Sequence, residues 1–176
     1  MVSEAQALAL LEKYHAPPRI VQHCRGVAAR VVEIATAINA KGKAHVDVER
    51  LKIAGLLHDI GRVRCLAEHG QTESFEHRHE PESVDILRAE RLPEIADLVA
   101  RHGFQSLFLE PSDLSLEEKI LIYADFTTER GVCSLNERLI YLREKYSRQD
   151  MRTLAAFQGN WHKIQAIEQE LKALQA

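Results

Sequence analysis

Six residues of this 176-residue chain have the types and the order to hold a cation: His23, the adjacent pair His58 and Asp59, His79, His102 and Asp125. Imidazole nitrogens and carboxylate oxygens together suit zinc, iron, manganese, nickel or cobalt. Taken singly, each has an ordinary explanation. A histidine on an apolar face is usually a hydrogen-bonded core residue, and an inward aspartate is often a cap or an ion-pair partner. Jointly that explanation weakens, because each buried polar group left unsatisfied costs roughly 1–3 kcal/mol. One shared cation satisfies them together. The pair at 58–59 poses the problem most sharply, since it directly follows the apolar run "IAGLL". Burying a histidine beside a carboxylate is costly unless something pairs with both.

The elements that must position these groups are helical. Apolar residues recur at three-and-four spacing almost throughout, and no stretch alternates strictly enough to argue for a sheet. Over 18–39, His23 shares a face with Val27, Val31, Ile34 and Ile38. Leu51, Ala54 and His58 line up on the next helix, with Asp59 about 100° round its axis. Ile95, Leu98 or Val99, and His102 share a face of "PEIADLVARH", and Leu121 and Asp125 are four apart in "LIYAD". Four helices thus each deliver a histidine or aspartate from an apolar stripe, and His79 stands at the foot of a fifth.

Boundary signals divide the chain further. Ser3 with Gln6, Ser115 with Glu118 and Ser134 with Glu137 have capping-box spacing, and Asp47 and Asp150 are placed as N-caps. Gly61 and Gly103 are expected to close the helices before them. The polar, aperiodic text from Arg62 to about His79 reads as a long functional loop. The expectation is an all-α bundle of seven or eight helices with a metal site in its core. It forms one domain over 1–176, with a last helix over 151–174 packed on it.

Composition narrows the function. The chain is 45% hydrophobic and 28% charged with net charge −3, so no basic field points to a nucleic-acid polymer. Three scattered cysteines, Cys24, Cys65 and Cys133, suit a reducing cytoplasm better than a disulfide scaffold. The N-terminus lacks the basic start of a secretory signal, and no apolar run nears the roughly 18 residues of a membrane span. A cytoplasmic protein with a small-molecule partner is expected, and its oligomeric state is open.

The order His23, then "LLHDIG" at 56–61, then Asp125 within "EKILIYAD" resembles the HD-domain metal-dependent phosphohydrolases, and "HDIG" is typical of one large subgroup. The resemblance covers about residues 18–146. The stretches "HEPESVDIL", "IADLVARHG" and "LSLEEKILIYADFTTER" further resemble the dinuclear branch that splits diadenosine tetraphosphate symmetrically. Carried over position by position, the resemblance implies one or two divalent cations (iron, manganese, magnesium, nickel, cobalt or zinc). His23, His58, Asp59 and Asp125 would hold the first, and Asp59, His79 and His102 the second, with Asp59 bridging. His77 competes with His79, whose place before "EPES" favours it. Arg62 stands where the family usually has lysine, and its planar fork keeps a phosphate contact. Arg130 matches a basic position of the same branch, with an exposed helix-end arginine as the plain alternative.

The activity so implied is hydrolysis of a phosphate ester or anhydride of a nucleotide-type substrate, a dinucleoside polyphosphate among the candidates. Water activated by the cations attacks phosphorus in line, and Arg62 offsets charge on the phosphoryl oxygens. His102 or Glu80 would serve as base if only one cation binds. Two rival readings keep the site and change its use: a di-iron oxygenase of the same fold, or a module that senses a nucleotide without cleaving it. The text "GYP" of the cyclic-dinucleotide phosphodiesterases is absent after "HDIG".

Overall fold

A computed structural model describes residues 2–70, 79–129, 131–147 and 151–176. His77, Arg130 and Asp150 lie outside the described residues. The described residues form nine α-helices: α1 (Glu4–Lys13), α2 (Pro18–Lys41), α3 (Val48–Leu57), α4 (Arg62–His69), α5 (His79–Ala89), α6 (Pro93–Val99), α7 (Leu116–Phe126), α8 (Leu135–Tyr146) and α9 (Met151–Gln175). Short 3-10 turns at Phe104–Phe108 and Pro111–Asp113 join α6 to α7. Among the described residues there is no strand beyond an isolated bridge between Thr128 and Val132. No helix among them is long and apolar enough to cross a membrane.

All three capping boxes form, and Asp47 accepts from the Arg50 amide. These caps satisfy amides that have no partner within their helices. The apolar stripe of α2 is buried along its length, from Ile20 through Val27, Val31 and Ile34 to Ile38. It packs chiefly on α3 and also on α7 and α9. Gly55 of α3 allows the closest approach, since a Cβ there would stand 2.9 Å from the Ala28 Cα of α2. On the far side α9 lays Phe157, Trp161, Ile164, Ile167 and Leu171 into the core. The Phe126 ring meets Trp161 edge-on, with centroids 5.6 Å apart.

Two expectations about the middle of the chain change. The polar text after Gly61 is not all loop, because Arg62–His69 forms α4, closed by Gly70 in the left-handed conformation (φ 67°). Its short length and low hydrophobicity make it read as polar loop text. Gly61 itself is right-handed (φ −66°), so it is no left-handed helix stop. Its role is close approach: a Cβ there would lie 2.3 Å from the His79 carbonyl oxygen and 2.4 Å from the Ser83 amide. Residues 58–61 thus make a tight corner between α3 and α4 that presses against the first turn of α5.

Candidate metal centre

The corner explains how His58 and Asp59 reach the same point. Neighbours on one α-helix diverge by about 100°. Here α3 ends at Leu57, and the chain turns through bonds from the Ile60 amide to the Leu57 carbonyl (3.1 Å) and from the Arg62 amide to the Asp59 carbonyl (3.0 Å). Ser83 latches the corner to α5. Its hydroxyl donates to the His58 carbonyl (2.7 Å) and accepts from the Gly61 amide (2.9 Å).

Each of the six expected ligands reaches the same centre. His23 Nε2 lies 3.0 Å from Asp125 Oδ1 and 3.6 Å from Asp59 Oδ2. His58 Nε2 lies 3.6 Å from Asp59 Oδ2 and 3.7 Å from Asp125 Oδ1. On the other side His79 Nε2 approaches Asp59 Oδ1 to 2.8 Å, and His102 Nε2 stands 3.8 Å from that oxygen and 3.1 Å from His79 Nε2. The two oxygens of Asp59 therefore face two different histidine pairs. Ligand atoms of His23, His58 and Asp125 form one group able to hold a metal ion, and those of His58, Asp59 and His102 form a second.

Hydrogen bonding orients these rings. His58 Nδ1 donates to the Gly55 carbonyl (2.8 Å), and His102 Nδ1 donates to the Val99 carbonyl. A carbonyl only accepts, so both rings present Nε2 to the centre. His58 Nε2 is buried and has no hydrogen-bond partner. Asp59 Oδ1 likewise has none, since the 2.8 Å approach of His79 lacks hydrogen-bond geometry. Buried atoms that converge without bonding one another are costly alone and are satisfied by a cation among them. The donor set fits a divalent metal.

The electrostatics follow from the same packing. Burial alone would raise the Asp59 pKa, but Arg62, His58 and His79 hold the carboxyl well below 3.8. Burial raises that of Asp125 too, and the neighbouring His23 and His58 rings reverse the effect. For His58 burial opposes the charged ring, yet Asp59 and Asp125 outweigh it and push its pKa well above 6.5.

Arg62 forms an ion pair with Asp59, its Nε 2.6 Å from Oδ2, and also lines the cleft over the centre, so its charge faces the carboxylate from the cleft. His15, His45 and His162 are exposed and take no part in the centre. Three buried neighbours were not read from the sequence as parts of the site. Cys24, beside His58, could have been suspected only from following His23. Ser83 stands four residues after His79 and so on its face of α5, which was a readable signal. Gly103 lets Glu80 pack against the end of the His102 segment, where a Cβ would lie 2.5 Å from Glu80 Oε1.

A cleft of about 740 Å³ opens over the centre. His23, Asp59, His79 and Asp125 lie at its floor, and α8 and α9 supply the opposite wall.

Comparison with known proteins agrees with this geometry. The chain is similar to the uncharacterized protein MJ0778 of Methanocaldococcus jannaschii, at 37% identity over 127 residues, covering 63% of this chain and 69% of the relative. No solved structure gives a significant match. Residues 20–128 match the HD domain, a span that contains all six convergent side chains. The chain therefore belongs to the HD domain family, a superfamily of metal-dependent phosphohydrolases.

Proposed function

We propose that this protein hydrolyses a phosphate ester or anhydride of a nucleotide-type substrate, with dinucleoside polyphosphates among the candidates. His23, His58, Asp59 and Asp125 hold one divalent cation, and Asp59, His79 and His102 hold a second. The observation that carries this reading is the division of Asp59, with Oδ2 turned to His23 and His58 and Oδ1 turned to His79 and His102. A bound divalent cation supplies Lewis acidity toward a phosphoryl oxygen and acidifies water for attack on phosphorus.

The chain's own groups do the rest. Arg62, tied by Nε to Asp59, stands at the cleft floor, where a guanidinium offsets charge on phosphoryl oxygens. Carbonyl bonds at Gly55 and Val99 keep His58 and His102 in one orientation, so no ring must reorient when substrate arrives. His102 and Glu80 are buried and neither lines the cleft. His102 is therefore assigned as a ligand rather than as a base, and Glu80 packs behind it. The cleft volume suits a nucleotide, since such sites run about 300–1,000 Å³.

Elemental analysis of the purified protein, followed by a nucleotide-hydrolysis panel with that metal restored, tests the reading. Phosphate or nucleotide release at a rate that tracks metal content is expected. Bound iron with dioxygen consumption and no phosphate release from any nucleotide would replace it with an oxygenase. Tight nucleotide binding without turnover under varied metals would make the site a sensor.

A further inference from the structure

We propose that the cleft wall opposite the metal centre is a specificity subsite that takes a second phosphate and a planar ring, built on Arg138 and Tyr141 of α8 and on Thr128. The proposal rests on the reading of the cleft as a phosphohydrolase site and identifies which part of a substrate lies away from the cations.

Charge is the first observation. Among the described residues outside the expected metal ligands, the charged groups lining the cleft are Arg19, Arg62, Arg138, Lys145 and Glu129. Arg62 is committed to Asp59 at the floor. Arg138 and Glu129 offset each other as an ion pair, which leaves Arg19 of α2 and Lys145 of α8 to carry positive charge beyond the place of the scissile phosphate. Such a field favours a substrate whose negative charge continues past the group attacked.

The second observation is an aromatic platform. Arg138 is ion-paired with Glu129 and lies over the Tyr141 ring, 5.3 Å from its centroid. Its side chain is only 14% exposed, so the ring rests on a packed support. Tyr141 lines the cleft and remains 36% exposed, which is high for a large apolar ring held in this way. A supported ring beside cations is the arrangement on which nucleobases stack.

Thr128 supplies the third. It is buried and lines the cleft, and its Oγ1 has no hydrogen-bond partner. Its neighbour Thr127, by contrast, donates to the Tyr123 carbonyl at 2.7 Å. Gly26 of α2 makes room for Thr128, because a Cβ there would stand 2.9 Å from the Thr128 methyl carbon. A packed threonine whose hydroxyl is unused within the protein, in the wall of a charged cleft, is placed to bond a phosphate or sugar oxygen.

Titration calorimetry with a non-hydrolysable methylene analogue of ATP, in the presence of the restored metal, tests this directly. Tyr141→Ala should weaken binding roughly 5- to 150-fold, the range for loss of one base–aromatic stack, and Tyr141→Phe should restore most of it. Thr128→Val should weaken it roughly 2- to 10-fold. The kcat/KM ratio of ATP over glycerol phosphate, which has one phosphate and no ring, should fall in parallel and mainly through KM. If folded Tyr141→Ala and Arg138→Ala proteins keep the full affinity and the full ratio, the subsite does not exist. Failure of the catalytic reading looks different: neither compound is hydrolysed at full metal loading, while the affinity differences among the variants persist and support the subsite.

Discussion

The floor and the far wall of the cleft are built by opposite means. At the floor, six side chains from α2, α5, α7 and the corners after α3 and α6 converge, and five of them are at most 8% exposed. Backbone carbonyls orient two of the rings, and Ser83 clamps the turn that carries the central pair. On the wall, long side chains of α8 rest on one another and stay partly open to solvent: Arg138 over Tyr141, and Lys145 4.7 Å from the Tyr146 ring centroid. The floor is set by backbone placement, so almost any change there costs stability and metal together. The wall is set by side chains, so it can vary without disturbing the fold. On the proposed reading, chemistry would reside in the first part and discrimination in the second.

That contrast can be broken most severely at Asp59. Asp59→Ala removes the carboxylate shared by both ligand groups and should lower turnover on the order of 10³-fold, with loss of bound metal. Elemental analysis and steady-state rates measured on one preparation decide it, and full hydrolysis by the variant would sink the assignment. Gly61→Ala comes next. Its methyl would meet the α5 backbone, so urea unfolding should show a loss of about 1–3 kcal/mol, and metal should be lost with the displaced corner. Ser83→Ala leaves the Gly61 amide without its acceptor. It should cost about 1–3 kcal/mol and lower metal affinity roughly 10- to 100-fold by calorimetry.

Acid sharpens the comparison from another side. The pKa values of Asp59 and Asp125 are lowered in the fold, so their contribution is present above the ordinary 3.8 and is lost as pH falls below it. That of His58 is raised, so its contribution is complete below 6.5 and fades as pH climbs through the folded value. Because the His58 pKa is raised, protons and metal compete for its ring nitrogen. Affinity should therefore fall as pH is lowered, with proton release seen by calorimetry in buffers of different ionisation enthalpy. The smallest effect is expected at the wall. Lys145→Ala should leave stability within about 0.5 kcal/mol of the parent by urea unfolding. A larger loss would mean that the wall is as rigid as the floor.

Much of the floor was readable in the chain. Three-and-four spacing put His23 at the head of the α2 stripe and Asp125 four residues after Leu121, and the order of the ligands carried the family resemblance. The capping boxes at Ser3, Ser115 and Ser134 form as their spacing implied, because a capping box is settled within four residues. Helix α4 escaped notice because its eight residues are low in hydrophobicity overall, so the stretch reads as polar text. Gly61 looked like a left-handed stop, since a glycine required by a neighbour and one required by φ are identical in text. The wall was not singled out, because nothing in the spacing of Arg138 and Tyr141 sets them apart along α8.

Local chemistry, which depends on near neighbours along the chain, was determined by the sequence alone: an all-helical chain, where its helices begin, and which polar residues interrupt apolar faces. Tertiary structure alone decided that Asp59 turns each oxygen to a different pair of histidines, and that α8 closes the cleft with a supported ring. Those facts depend on how α3, α5 and α8 pack across space, at separations where hydrophobic periodicity specifies burial but not which atoms meet.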